Sequence, residues 1–149
     1  QSSPEMDAFL ASANIRLLRD EAVLLGGEVY LYGRPDAQRP GRDVEVRKTP
    51  AELVEGLDTD KPILVLDHQP RELEKLAAAG VDVDLCGHTH DGQMFPGNLT
   101  VRLFWENACG YLRVGSMHSI VTSGVGLFGP NMRVATRAEI CPITIRFAG

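Results

Sequence analysis

The chain has 149 residues, which fits one domain of ordinary size, and its 44% hydrophobic and 23% charged residues are close to globular averages. This composition argues against disorder over the whole length. The net charge of −5, without a long basic run, argues against a nucleic-acid binder, which usually carries a basic stripe.

The three cysteines are too few and too scattered for a disulfide framework, and no C-x-x-C pair indicates a zinc knuckle. Because Cys86 and Cys141 lie in apolar runs, we expect both to be buried thiols. All apolar runs are shorter than the ~20 residues that a membrane-spanning helix needs, so we expect a soluble chain.

The first third of the chain predicts a helix, a hairpin and a second helix. Ser3-Pro4-Glu5 is a typical helix start, and this helix is expected to end near residue 13. Gly26-Gly27 predicts the turn of a hairpin between strands at residues 22–25 and 28–32. After a polar, arginine-rich loop at residues 34–47, a capping box at residues 49–52 predicts a helix to about residue 57.

The middle of the chain predicts a strand–helix–strand unit. Residues 61–66 form a short apolar run that is typical of a strand buried on both faces. Pro70 opens a predicted helix that Gly80 closes, and residues 81–86 predict the next strand. Such a unit indicates an α/β fold with parallel strands.

The second half predicts a sheet of short strands separated by glycine and proline, without a domain boundary. The four expected strands lie at residues 111–114, 119–123, 132–136 and 143–147.

Three of the four histidines follow predicted core strands. His68 comes after the strand at 61–66, while His88 and His90 come after the strand at 81–86. Parallel neighbouring strands place their carboxyl ends at one edge of a sheet, so we expect these side chains to lie close together. In an extended segment residues i and i+2 point to the same side, and imidazole is a common ligand of zinc, iron and related metals.

Other polar residues near this group have less specific interpretations. Asp67 could orient a histidine that binds a metal, or it could cap the following helix. Asp91 could face the substrate, or it could be a solvated loop carboxylate. His118 lies in a sequence that is typical of a strand, and we expect a hydrogen-bonded structural role for it.

Several motifs resemble those of the calcineurin-like metallophosphoesterases. Gly-His-Thr-His at residues 87–90, followed by Asp-Gly-Gln, resembles the C-terminal signature of that family. Asp-His-Gln-Pro at residues 67–70 resembles its preceding single-histidine motif. Residues 123–130, with Arg133 and residues 137–140, resemble the glycine-rich tail of a bacterial branch that includes membrane-anchored proteins. The resemblance covers nearly the whole chain.

This resemblance implies a fold and a site. The fold is a four-layer α/β/β/α sandwich, of which this chain would form half. His68 and His88 match ligands of a second metal and His90 matches a ligand of a first metal, with Mn, Fe, Zn or similar divalent ions implied. Asp91 stands where this branch often has glycine. The implied reaction is hydrolysis of a phosphate mono- or diester through a metal-bound hydroxide.

The motifs of the family's first half, Asp-x-His, Gly-Asp-x-x-Asp and Gly-Asn-His-Asp/Glu, do not occur in the sequence. In the family they supply the bridging aspartate, an asparagine ligand and the histidine that assists the leaving group. We therefore expect residues 1–149 to be the C-terminal portion of such a domain, with no catalytic residue of its own. Three neutral imidazoles do not offset the charge of two dications, so we expect at most one weakly bound metal and no activity in isolation.

Two other interpretations stay open. The chain could be a non-enzymatic domain that binds one metal for a structural or sensory purpose. It could also be a hydrolase with a single catalytic zinc on His68, His88 and His90, since three histidines and a water make a workable zinc site.

The resemblance also implies partners. We expect a phosphorylated small molecule or another phosphoester as the substrate, and no nucleic acid. Half of a sandwich exposes a sheet edge or face, so we expect the isolated chain to self-associate. A segment outside this chain would hold the parent protein at a membrane if it belongs to the anchored branch.

Overall fold

Six strands form one mixed sheet in the computed structural model, which describes residues 4–36 and 47–146. The helices are α1 (Pro4–Ser12), α2 (Pro50–Val54), α3 (Leu73–Ala78) and α4 (Gly97–Thr100). The strands are β1 (Glu21–Leu25), β2 (Val29–Gly33), β3 (Ile63–Leu66), β4 (Val83–Cys86), β5 (Gly110–Val114) and β6 (Met117–Val121). Most of the expected loop at residues 34–47, the capping Ser3 and Phe147 lie outside the described residues.

The strands lie in the order β1-β2-β3-β4-β6-β5. The four central strands run parallel, and the edge strands β1 and β5 are each antiparallel to their neighbour. The predicted hairpin is β1–β2, and the predicted strand–helix–strand unit is β3–α3–β4. The α/β fold class expected from the sequence is therefore confirmed.

Local sequence explains where α2 and α3 begin. The hydroxyl of Thr49 accepts a hydrogen bond from the backbone of Glu52, whose carboxylate accepts one from the backbone of Thr49, so the predicted capping box is present. The start of α3 was predicted at Pro70 and lies at Leu73. Glu72 has a φ of 60°, which a continuous helix does not permit, and Pro70 and Arg71 stay in the preceding loop.

One face of the sheet is covered by α2 and α3. Paired strand residues point to the same face, so Tyr32, Val65, Asp84 and Ser119 form one row across the sheet. All four are buried, and Leu53, Leu73 and Leu76 from the two helices complete the core over this face.

The opposite face of the sheet is apolar and only partly covered. Leu66, Leu85, Ile120 and Tyr111 form one row across it. Leu66 is 39% exposed and Tyr111 is 60% exposed, while Leu85 and Ile120 are half-buried. A sheet with helices on one face and an apolar second face that is only partly covered, here called the bare face, is the architecture of half of the expected four-layer sandwich.

The strands predicted near the C-terminus are wrong in part. The strand expected at residues 119–123 is β6, two residues earlier. Among the described residues, 132–136 and 143–146 are not strands. Val134 makes two backbone hydrogen bonds, with Gln93 and Phe95, but the φ of 62° at Ala135 ends this extended pairing, and Thr136 donates its hydroxyl to the carbonyl of Gln93. Cys141 is exposed, contrary to expectation, whereas Cys86 is buried as expected.

Asp84 is an ionisable group in the centre of the sheet. Its Oδ2 accepts hydrogen bonds from Ser119 Oγ (3.4 Å) and from Cys86 Sγ (3.2 Å), and its Oδ1 has no partner among the described residues. Burial, together with the negative charge of nearby Asp67, raises the pKa of Asp84 to about 6.

This pKa makes the stability of the chain depend on pH. The carboxyl of Asp84 binds its proton more tightly in the folded chain than in the unfolded chain, so stability is lost as pH rises from about 4 through about 6. The amide of Asp84→Asn is uncharged at every pH and has nearly the shape of the protonated carboxyl. We expect its free energy of unfolding, relative to the unmodified chain, to rise by on the order of 3 kcal/mol between pH 4 and pH 7.5. Urea unfolding at both pH values measures this, with the exposed Asp60→Asn as control. An equal difference at both pH values would contradict it.

Candidate metal centre

His68 and His88 meet at the carboxyl ends of the adjacent parallel strands β3 and β4. Nε2 of His68 lies 3.0 Å from Nδ1 of His88, so one nitrogen donates and the other accepts. The two rings are nearly perpendicular, at 84°. Both side chains therefore converge on one point, as the sequence predicted; their role as metal ligands stays a prediction.

Backbone contacts hold the two histidine loops together. The N–H of Gly87 donates to the carbonyl of His68 (3.1 Å), and the N–H of Asp67 donates to the carbonyl of Leu85 (3.0 Å). These bonds continue the pairing of β3 and β4 into the loops. The positions of the imidazoles therefore follow from the register of the sheet.

The segment after β4 has a positive φ at four residues that are not glycine. The φ values of His88, His90, Asp91 and Gln93 are 69°, 52°, 51° and 56°. Such a conformation costs roughly 1–2 kcal/mol per residue, and clusters of it are typical of functional sites. Gly92, in the same segment, has a φ of 73°, and a Cβ there would lie 2.3 Å from the backbone of Gly97. Glycine is required at this position for α4 to fold back against the motif.

His90 points into a different environment from the other two histidines. Its ring stacks on Phe128, with ring centroids 6.4 Å apart at 23°. Its Nδ1 is buried and has no hydrogen-bond partner among the described residues. Burial lowers the pKa of His90, with a smaller contribution from the positive charge of Arg133. A neutral imidazole with a free ring nitrogen is the form that binds a metal.

The three histidines do not form a single ligand cluster. Within residues 4–36 and 47–146, no group of three His, Cys, Asp or Glu side chains converges as ligands for one ion. The alternative of a mononuclear zinc site on His68, His88 and His90 is therefore not supported. The donors present fit part of a divalent metal site, because two imidazoles converge and a third has an unpaired buried nitrogen.

Asp67 has neither of the two roles expected for it. Its side chain is fully buried between two arginines, with Arg34 Nη1 at 3.0 Å and Arg47 Nη1 at 2.9 Å. It also accepts hydrogen bonds from the backbone of His68 (2.7 Å) and Gln69 (3.3 Å). Asp67 thus orients the backbone of His68 rather than an imidazole, and α3 begins after Glu72 instead.

The two arginines also bind Glu72. Its Oε2 lies 3.1 Å from Arg34 Nη2 and 3.2 Å from Arg47 Nη2. We call Arg34, Arg47, Asp67 and Glu72 the charged quartet. The sequence predicted only a polar, arginine-rich loop for both residues, and the signal for this pairing is the two acids on either side of His68, Asp67 and Glu72. Both guanidiniums are occupied by carboxylates and cannot serve a substrate.

Asp91 and His118 have no contact with the histidine pair among those that the structure describes. The side chain of Asp91 is 27% exposed, and its nearest cation is Arg102 at 3.9 Å. Its proposed position beside the substrate stays a prediction. His118 accepts or donates a hydrogen bond with Tyr111 Oη (2.9 Å) on the bare face of the sheet, which fits the structural role expected for it.

The glycine-rich tail lies over the site because two side chains hold it there. Gln93 Nε2 donates to the carbonyls of Phe128 (2.7 Å) and Pro130 (3.1 Å), and Gln93 Oε1 accepts from the backbone of Phe128. Arg133 donates to the carbonyls of His90 (3.0 Å) and Ser123 (2.7 Å). These bonds place Phe128 on the ring of His90, a function that the sequence did not indicate for Gln93 or Arg133.

A cavity of about 500 Å³ opens beside the histidine pair. The three histidines line it together with Arg71, Trp105 and Phe128, which are among its other lining residues. A cavity of this size accommodates a small organic ligand.

Proteins named as metallophosphoesterases are similar to this chain. An uncharacterized metallophosphoesterase of Aquifex aeolicus is 33% identical over 143 residues, which is 95% of this chain and 54% of that protein. A transmembrane protein with metallophosphoesterase domain from Danio rerio is 39% identical over 115 residues, which is 73% of this chain and 25% of that protein. An uncharacterized metallophosphoesterase of Helicobacter pylori is 32% identical over 139 residues, or 89% of this chain and 36% of that protein.

The chain spans about half the length of the Aquifex relative and a smaller share of the other two. No family model matches the chain, and no solved structure matches it. The relatives cover most of the sequence, and the alignments are long enough to include both histidine motifs. The chain belongs to the calcineurin-like metallophosphoesterase family.

Proposed function

We propose that this chain supplies the histidine ligands of a two-metal site that hydrolyses a phosphomonoester or phosphodiester. The observation that carries the proposal is the convergence of His68 and His88 at the ends of adjacent parallel strands, with ring nitrogens 3.0 Å apart. His90, with its unpaired Nδ1, would serve the other metal. Divalent ions, when bound, neutralise charge on phosphoryl oxygens and activate water.

The acidic ligands would come from a segment outside this chain. Among the described residues that line the cavity there is no carboxylate, and Asp67, the acid closest to His68 in sequence, is occupied by two arginines. The bare apolar face of the sheet is a suitable surface for the remaining half of a sandwich. The greater length of the relatives supports the same division.

The second candidate is a non-enzymatic domain that binds one metal. The observation that favours it is the convergence of only two of the three histidines. A full-length protein that binds metal but hydrolyses no phosphoester would favour this candidate.

Attachment to a membrane would also depend on residues outside this chain. None of the helices described here is long and apolar enough to cross a bilayer. Relatives from Danio rerio and Bos taurus are named transmembrane proteins, and we extend that association to the full-length form of this protein as a proposal.

The metal ligands can be tested by titration of the chain with Zn²⁺ or Mn²⁺ in a calorimeter. We expect at most one equivalent to bind. His68→Ala and His88→Ala should each weaken binding at least ~10-fold, since each removes one of the two converging donors. His118→Ala is the matched control because it removes an exposed imidazole from another part of the sheet. Unchanged affinity in both site variants would contradict the assignment.

Hydrolysis can be tested with a generic aryl phosphomonoester and added Mn²⁺. We expect no turnover by the isolated chain, because neutral imidazoles do not compensate the charge of two dications. The full-length protein should hydrolyse the ester, and His88→Ala should remove that activity. Turnover by the isolated chain that His88→Ala abolishes would show that the acidic ligands are not needed.

Self-association can be tested by light scattering at several concentrations. We expect the isolated chain to associate through the bare apolar face, and Leu66→Lys, which places a charge on that face, to shift it toward the monomer. Leu24→Lys is the control, since Leu24 is 41% exposed but points to the other face of β1. A monomer at every concentration would contradict the expectation.

A further inference from the structure

Arg71 lines the same cavity as the histidine pair and is held in place from two sides. Its guanidinium carbon lies 4.7 Å from the centroid of the Trp105 ring. Its Nε donates to Gln69 Oε1 at 2.8 Å. Gln69 is itself buried, and its Nε2 donates to Asp36 Oδ1 at 2.9 Å. Gln69, which holds Arg71, is therefore itself held by Asp36.

This arrangement prepares the arginine for a ligand. Ordering a free arginine side chain costs up to roughly 2 kcal/mol of rotamer entropy. Because contacts within the protein already order Arg71, it would lose little further freedom on binding a ligand. The guanidinium carbon lies over the indole ring. Nη1 and Nη2 make no hydrogen bond with any described residue. A planar edge with four N–H groups is the geometry that binds two oxygens of a phosphoryl group.

The position of Arg71 connects it to the candidate metal centre. Trp105 also contacts His88 edge to face, with ring centroids 5.2 Å apart at 64°. The indole therefore contacts both the guanidinium and the imidazole, and all three side chains line the cavity. An anion bound by Arg71 would lie beside the histidine pair.

The other arginines around the site are already engaged. Arg34 and Arg47 bind carboxylates in the charged quartet, and Arg133 binds backbone carbonyls of the tail. Among the described residues that line the cavity, Arg71 is the side chain with a permanent charge.

We propose that Arg71, positioned by Trp105 and Gln69, binds the dianionic phosphoryl group of a phosphomonoester in this cavity. The proposal deepens the proposed function because it names the substrate class, and its anion-binding step rests on no metal. A monoester offers three non-bridging oxygens, so one pair can meet the guanidinium edge while oxygen remains for other contacts. A diester offers only two, and carries a single negative charge.

Trp105 makes the test direct, since it is the single tryptophan of the chain. The metal-free chain is titrated with methyl phosphate at pH 8 and constant ionic strength, and tryptophan emission is recorded. We expect a saturable change with methyl phosphate and at least ~10-fold weaker binding of dimethyl phosphate. Arg71→Gln should abolish the response, and Arg71→Lys should weaken it at least ~10-fold, because lysine lacks the planar fork.

The control variant is Arg102→Gln, which removes a nearby exposed arginine that does not line the cavity. It should bind methyl phosphate within about twofold of the unmodified chain. Far-UV circular dichroism and urea unfolding of each variant check that the fold is retained, as expected for the exposed Arg71. No saturable response in the unmodified chain, an unchanged response in Arg71→Gln, or equal binding of both esters would overturn the proposal.

The outcome separates this site from the proposed function. Methyl phosphate binding that depends on Arg71, in a chain whose histidines bind no metal, would support the anion site and contradict the proposed metal centre. Metal binding that depends on His68 and His88, without an Arg71-dependent anion response, would support the metal centre and contradict the anion site.

Discussion

The charged quartet, in which Arg34 and Asp67 are fully buried, is the interaction on which the geometry of the site depends. Arg34 follows β2, Asp67 follows β3 and Glu72 precedes α3, so their pairing joins three elements at one edge of the sheet. Removing one partner of such a group leaves an uncompensated buried charge, at a cost of about 3–5 kcal/mol. Because Asp67 also binds the backbone of His68, the same contacts that stabilise the fold determine where the first imidazole lies.

The second constraint is the parallel register of β3 and β4. It sets the two histidine loops side by side, and backbone hydrogen bonds extend the pairing beyond the last strand residues. The left-handed residues after β4 then turn the chain back sharply, which lets Gln93 and Arg133 bind the glycine-rich tail. The strained positive-φ residues are therefore concentrated beside the cavity, where their side chains must face it. The rest of the fold is held by ordinary sheet and helix contacts.

Two features of the chain fit the proposal that residues outside it complete the site. The donors proposed for the metals are imidazoles, and the cavity is lined by no carboxylate among the described residues. The sheet has one covered face and one bare apolar face. Both features follow if the acidic ligands and the second layer of the sandwich come from the same outside segment, since the family's fold would place them together.

The sequence by itself determined the α/β class, the β3–α3–β4 unit and the nearness of His68 to His88, because each depends on local periodicity and on the rule that parallel strands end at one edge. It also indicated the family through the two histidine motifs. Only the tertiary structure decided the role of Asp67, the engagement of Arg34 and Arg47, the separate environment of His90 and the fixed position of Arg71. These depend on contacts between residues far apart in the chain, such as Arg34 with Asp67 or Arg71 with Trp105, and local patterns carry no information on which distant charge or ring a side chain will meet.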